Sequence, residues 1–143
     1  MKRVYKILAS LVVILCVFTV PVFADGDVFR VEVPNWGGWS KPSPKLRKST
    51  TDSSGVMICI YSGSWMLKYG DFTNGGTSTR ISKDYYALVD SSNTGNAGNW
   101  KNIYYKSGYN TVGRSVSARA CSSNIEPNTN SGTFSWDTDN EKG

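Results

Sequence analysis

Short runs of alternating hydrophobic and polar residues fill most of the chain beyond its N-terminal segment. In "DVFRVEV", residues 27–33, the hydrophobic side chains Phe29, Val31 and Val33 fall on one face of an extended strand and the charged ones on the other. "VMICIY", residues 56–61, is hydrophobic on both faces, which is typical of a central strand. No segment keeps the i, i+3, i+4, i+7 spacing of an amphipathic helix over three turns.

Turn-forming Gly, Asn and Ser residues divide the pattern into about eight short strands. The predicted strands cover residues 27–33, 56–61, 65–69, 78–82, 85–89, 100–105, 111–121 and 132–138. Short strands at near-regular spacing favour an all-β fold, an antiparallel β-sandwich, with a small closed β-barrel as the alternative. The polar C-terminal end, residues 137–143, is expected to fray.

Aromatic residues occur in two adjacent tyrosine pairs and in five tryptophans. Successive side chains of a strand point to opposite faces. One ring of Tyr85–Tyr86, and one of Tyr104–Tyr105, is therefore expected to face the core and the other to face outward. The rings of Trp65, Trp100 and Trp136 are expected to fill the core, whereas core and surface positions are both open for Trp36 and Trp39.

Residues 1–24 have the three-part layout of a secretory signal peptide. A basic head is followed by a hydrophobic run over residues 7–20 and by small residues at the two positions that signal peptidase reads, Val22 and Ala24. The hydrophobic run of 14 residues is shorter than the about 20 that span a bilayer. We expect cleavage after Ala24 and a secreted single domain over residues 25–143; an uncleaved anchor is the alternative.

Removal of this segment changes the charge balance. The whole chain has a formal net charge of +5, from 16 cationic and 11 acidic residues, and three of the cations lie in residues 1–24. The mature chain keeps 13 cations against 11 acids, a net charge of +2. Because nucleic-acid binding needs several cations on one face, no nucleic-acid partner is predicted.

Two cysteines remain in the mature chain, Cys59 and Cys121. In a secreted protein, two cysteines are enough for one disulfide. The alternative is that both are buried thiols that behave as small hydrophobic residues. The sequence favours the disulfide slightly.

The chain contains no histidine. This removes the usual general base at neutral pH, the His-activated Ser or Cys nucleophile and the His-ligated zinc site. The carboxylates Asp71, Asp84, Asp90 and Glu126 are scattered and are expected to be solvated turn residues rather than a catalytic pair. The acidic C-terminal end lacks the glycine and the full ligand set of a calcium loop. We therefore predict no enzyme activity, no metal and no cofactor.

The segment from Pro34 to Thr50 combines two tryptophans with several lysine and arginine residues. Its prolines favour an extended backbone. Such a segment suits an anionic polymer or a membrane surface, but the pattern favours an edge strand that Lys and Pro residues protect from aggregation. On the first interpretation the predicted binding residues are Trp36, Trp39, Lys41, Lys45, Arg47 and Lys48.

Three stretches carry a family resemblance. These are Arg47-Lys48-Ser49-Thr50 at the start of a strand, "GYNTVGRSVSARA" over residues 108–120 and "SGTFSWDTD" over residues 131–139. They resemble an uncharacterised family of small secreted Gram-positive all-β proteins. The overall plan and the Val112-Gly113-Arg114 step are also similar to the two-sheet, septum-targeting lactococcin-type bacteriocins, which act on a lipid-linked cell-wall precursor. The first resemblance implies a secreted sandwich with no established activity or catalytic residues.

Together these features predict a small secreted protein that binds rather than catalyses. Its expected partner is a cell-wall or membrane-surface component, and its expected role is bacteriocin-like. A carbohydrate-binding module and a structural extracellular matrix protein are the alternatives. The sequence leaves the oligomeric state open.

Overall fold

The computed structural model describes residues 27–62, 67–89 and 98–140. The predicted signal peptide lies outside these residues, as does Trp65. Within them no helix is long and apolar enough to cross a membrane. The eight strands are β1 (Asp27–Val33), β2 (Leu46–Arg47), β3 (Ser54–Ser62), β4 (Leu67–Asn74), β5 (Tyr86–Ala87), β6 (Lys101–Tyr104), β7 (Ser115–Ser122) and β8 (Asn130–Asp137).

The strands form two antiparallel four-stranded sheets. Sheet 1 has the order β1-β8-β3-β6 and sheet 2 the order β2-β7-β4-β5. The sheets do not close into a barrel, so the predicted β-sandwich is confirmed and the alternative of a closed barrel is wrong. Strands that are neighbours in a sheet are mostly distant in sequence, as in β1, which pairs with β8 from Asp27↔Trp136 to Val33↔Asn130.

Inward-facing residues of both sheets build one core between them. Sheet 1 contributes Phe29, Phe134 and Trp136, and sheet 2 contributes Phe72 with the small residues of β7. The Trp136 ring contacts Phe29 from its own sheet and Phe72 from the other sheet, with centroid distances of 6.5 and 5.6 Å. Such tilted and edge-to-face contacts add to the gain from burying the rings. The expectation that Trp136 fills the core is confirmed, whereas Trp100 is only half-buried and does not belong to the core cluster.

The tyrosine pairs also follow strand alternation. Tyr85 is 52% exposed whereas Tyr86 packs against the core, and Tyr104 is 40% exposed whereas Tyr105 is buried. The prediction of a strand over residues 78–82 was wrong. The structure forms only isolated bridges there, Thr73↔Arg80 and Ser82↔Tyr105. The short strand β2 was missed, since prolines and polar residues surround it.

The expected fraying from residue 137 onward is wrong for residues 137–140, which are held by hydrogen bonds. Asp139 is buried and ion-paired with Lys48, with 2.6 Å between Oδ1 and Nζ. Asp139 also accepts hydrogen bonds from the backbone and hydroxyl groups of Ser49 and Thr50. Lys48 Nζ donates a second bond to the Thr138 carbonyl. We call Lys48, Ser49, Thr50 and Asp139 the C-terminal clasp; it joins two of the stretches that carried the family resemblance.

Candidate functional site

The segment that follows β1 runs along the edge of sheet 2 beside β7. Trp39 forms a bridge with Cys121, and the amides of Ser40 and Ser43 donate to the carbonyls of Ala120 and Ala118, both at 2.7 Å. In return the amides of Ala120 and Ala118 donate to the serine hydroxyls. The hydroxyls accept bonds that backbone carbonyls would accept in a regular ladder. The segment is therefore an anchored edge, which fixes Trp39 on the sheet.

A strained turn precedes Trp39. Trp36 and Gly37 both have positive φ, 52° and 73°, a conformation that costs a non-glycine residue about 1–3 kcal/mol. The neighbouring loop holds the turn, because the Trp36 amide donates to the Glu126 carbonyl at 2.7 Å and the Gly37 amide to the Ser123 carbonyl at 3.0 Å. A Cβ on Gly37 would overlap Asn124. The turn leaves the Trp36 ring 63% exposed.

The outer face of sheet 2 carries the other residues of the site. Asp71 on β4 pairs with Arg119 on β7, and Tyr69 pairs with Cys121. Since residues two apart share a face of a strand, all four side chains point away from the core. Tyr85, just before β5, completes the arrangement.

Three aromatic rings, Trp39, Tyr69 and Tyr85, help to line a small cavity on this face. Tyr85 makes edge contacts with Tyr69 and Trp39, with centroid distances of 5.1 and 6.1 Å. The cavity has a volume of about 190 Å³. It is lined by Gly37, Trp39, Tyr69, Tyr85, Cys121, Ser122, Ser123 and Asn124. We call it the aromatic cleft.

A buried charge cluster lies beneath these rings. Arg119 binds both oxygens of Asp71, at 2.7 and 3.1 Å, and Arg80 lies 3.2 Å from one of them. Burial raises the pKa of Asp71, while the two arginines oppose the rise. The Arg119 guanidinium lies 4.4 Å from the Trp39 ring centroid, and that of Arg80 lies 5.4 Å from the Tyr85 centroid. The cluster thus supports two walls of the cleft and leaves one positive charge in excess.

Trp39 also lines a second cavity. Its volume is about 510 Å³. It is lined by Arg30, Val31, Glu32, Pro34, Trp39, Lys41 and Thr129. We call it the edge groove, because β1 and the edge segment form its walls.

The structure divides the six predicted binding residues into three groups. Trp39 lines both cavities and Lys41 lines the edge groove. Trp36, Lys45 and Arg47 are exposed but line neither cavity. Lys48 does not belong to a binding surface, because it is 1% exposed and its ammonium is bound within the C-terminal clasp.

Sequence reasoning missed Tyr69, Tyr85, Arg80 and Arg119, and it placed Asp71 in a solvated turn. Asp71 is instead fully buried, and Glu126 is also buried. Strand alternation could have put Tyr69 and Asp71 on one face, and Tyr85 on the face opposite Tyr86. It could not show that these faces meet, because β4, β5 and β7 are neighbours only in the folded sheet.

The predicted disulfide is not present in the structure. Cys59 faces the core beside Phe134, its strand partner, whereas Cys121 faces outward and its sulfur lies 3.2 Å from the Gly37 carbonyl oxygen. Cys59 therefore points from sheet 1 into the core, whereas Cys121 points from sheet 2 away from the core. Burial raises the pKa of the Cys121 thiol to about 11, with a further rise from Asp71 and an opposing effect of Arg119.

Both thiols should resist alkylation in the folded protein. Iodoacetamide must reach the sulfur and reacts with the thiolate. Burial shields both thiols, and the raised pKa of Cys121 leaves little of its thiolate at pH 8. We expect little label on Cys59 and Cys121 under native conditions and full label in denaturant without reductant, read for each cysteine by peptide mass spectrometry. Cysteines that stay unlabelled in denaturant until a reductant is added would instead reveal a disulfide.

No group of acidic and cysteine side chains in the described ranges could hold a metal ion. Comparison with family models, curated proteins and solved structures found no match. The family resemblance therefore stays a prediction.

Proposed function

We propose that the protein is a non-catalytic binding protein of the cell envelope and that its aromatic cleft takes a sugar unit of an envelope glycan. The observation that carries the proposal is the arrangement of Trp39, Tyr69 and Tyr85 along a small cavity that Ser122, Ser123 and Asn124 also line. Secretion, predicted from residues 1–24, would bring the protein to such a glycan.

The chemistry of the cleft suits a sugar ring. A pyranose has C–H groups on its faces, which pack on aromatic rings, and hydroxyl groups around its edge, which need hydrogen-bond partners. The cleft is lined by aromatic rings and also by Ser123 and Asn124, which carry a hydroxyl and an amide group. Its volume of about 190 Å³ is below the about 300–1,000 Å³ of most small-molecule sites, so it suits one small unit rather than a large cofactor.

The position of Asp71 supports binding rather than catalysis. Both oxygens of Asp71 are bound to arginines, and its side chain is fully buried beneath the rings. A glycosidase needs two carboxyl groups that reach the bond to be cleaved. Asp71 instead holds Arg119 and Arg80 against the aromatic walls.

Replacing Trp39 by alanine should weaken glycan binding by about 30-fold or more, because a buried aromatic residue at the centre of a site commonly contributes about 2 kcal/mol or more. Binding would be measured by isothermal titration with N-acetylglucosamine oligomers and by retention on purified cell-wall polysaccharide. Trp39→Phe should keep part of the affinity, since it retains a ring on the same wall.

A matched pair of tyrosine variants provides the control. Tyr85→Ala removes a wall of the cleft and should also weaken binding, whereas Tyr104→Ala removes a similarly exposed ring from sheet 1 and should not. Urea unfolding of each variant would confirm that the fold is intact. Equal affinity of the Trp39→Ala, Tyr85→Ala and unmodified proteins, or no binding of any oligosaccharide, would contradict the proposal.

A further inference from the structure

We infer that the ligand is an acidic glycan, which lies across Trp39 with one sugar in the aromatic cleft and a carboxylate or phosphate group in the edge groove. This inference rests on the proposed function and adds the chemical class of the ligand. It is carried by the position of Trp39 in both cavities and by the charged residues that line the edge groove.

Trp39 is a wall of both cavities. The aromatic cleft holds about 190 Å³ and the edge groove about 510 Å³, so the two differ in the size of unit that they accept. Because both cavities share Trp39, a ligand longer than one unit that occupies the cleft would extend past this residue into the groove. The surface therefore suits a polymer better than a free monosaccharide.

Positive charge is in excess along this path. Arg30 and Lys41 line the groove and are exposed, while Arg119 lies against the Trp39 ring. Two acidic groups oppose them, Glu32 in the groove and Asp71 beneath the cleft. Asp71 is already bound to Arg119 and Arg80, so the groove presents two cations and one carboxylate to the ligand.

Because Glu32 lies in the same groove as Arg30 and Lys41, neutralising it should change the affinity for an acidic ligand in the opposite direction. Arg30 and Glu32 lie two residues apart on β1, so both side chains point to the same face of the strand. An acidic ligand is attracted by Arg30 and Lys41 and repelled by Glu32. A neutral ligand of the same shape feels little of either effect.

The experiment compares ligands that differ only in charge. One pair is a uronic-acid oligosaccharide and its carboxyl-reduced form, and the other is a sugar-phosphate oligomer and its dephosphorylated form. The experiment uses the predicted mature chain, residues 25–143. We expect it to bind the acidic member of at least one pair more tightly than the neutral member. The preference should shrink as salt rises from about 0.01 to 0.15 M, because exposed charges are screened over about 8 Å at the higher salt.

Three variants assign the preference to the groove. Arg30→Gln and Lys41→Gln should each weaken binding of the acidic ligand by about two- to fivefold at low salt, in keeping with exposed ion pairs. Glu32→Gln should strengthen it by a similar factor. Binding of the neutral member should change less than about 1.5-fold in all three variants. Lys45→Gln, an exposed lysine outside both cavities, is the matched control.

The outcomes separate this inference from the proposed function. Equal binding of charged and neutral ligands, lost in Trp39→Ala, would overturn the acidic class and leave the proposed function standing. A charge preference that Arg30→Gln, Lys41→Gln and Glu32→Gln leave unchanged would also overturn it. If neither member of any pair binds, both fail. The carboxylate and phosphate pairs show which source of negative charge is recognised.

Discussion

Replacing Asp139 by alanine should destabilise the fold by about 3–5 kcal/mol, since it would leave the buried ammonium of Lys48 without its counter-ion. The Lys48 side chain is fully buried, and its remaining hydrogen bond goes to the Thr138 carbonyl. Ser49 and Thr50 would lose their acceptor as well. Because small domains are stable by only about 5–15 kcal/mol, urea denaturation should show a large fall in the midpoint.

Two further variants test the cause. Asp84→Ala removes an exposed carboxylate and should change the free energy of unfolding by less than about 0.5 kcal/mol. Lys48→Met should cost less than Asp139→Ala, because the carboxylate would keep its bonds from Ser49 and Thr50. An Asp139→Ala variant as stable as Asp84→Ala would show that the clasp contributes nothing.

The clasp also gives stability a dependence on pH. Burial acts to raise the pKa of Asp139, but the hydrogen bonds from Lys48, Ser49 and Thr50 outweigh it and hold the pKa well below its usual range. The unfolded chain therefore binds a proton near the ordinary pKa of about 3.9, whereas the folded chain does not. The stabilisation is complete above this pH and is lost as pH falls. Asp139→Asn should flatten this acid loss in unfolding curves measured from pH 7 to 3.

Replacing Trp136 by alanine should destabilise the fold by about 3–5 kcal/mol, the usual cost of removing a large ring from a core. Trp136 is fully buried and contacts Phe29 and Phe72, so both of these rings would lose a neighbour. Its indole nitrogen has no hydrogen-bond partner among the described residues. Trp136→Phe should therefore cost much less than Trp136→Ala, since no hydrogen bond is broken.

Trp36→Ala is the matched control for this substitution. The same side chain is removed, but from a position that is 63% exposed, so the change in the free energy of unfolding should stay below about 0.5 kcal/mol. Both variants can be compared by urea denaturation with far-UV circular dichroism. Similar costs for the two would contradict the packing described for the core.

The sequence predicted the sandwich well because strand alternation is a local property. The faces of β1, β7 and β8 can be read from Phe29, Ala118 and Phe134 without knowing their partners. The same alternation applies to Cys121, which follows an inward-facing alanine and must face outward. Counting cysteines without assigning their faces led to the disulfide prediction.

The clasp and the aromatic cleft could not be predicted in this way, because both join residues that are far apart in sequence. Lys48 and Asp139 are separated by 91 positions, and each looks like an ordinary surface charge in its own segment. Trp39 was found because it lies in an unusual stretch. Tyr69 and Tyr85 become its neighbours only through the order of strands in sheet 2.

The position of β8 between β1 and β3 affects how this domain folds and whether it tolerates truncation. The first strand of sheet 1 has no neighbour in that sheet until the eighth has been synthesised, so no early half of the chain can form a finished layer. Long-range pairing of this kind slows folding to milliseconds or seconds and leaves strand edges open in the meantime. A fragment that ends before residue 130 should therefore aggregate rather than survive as a smaller domain.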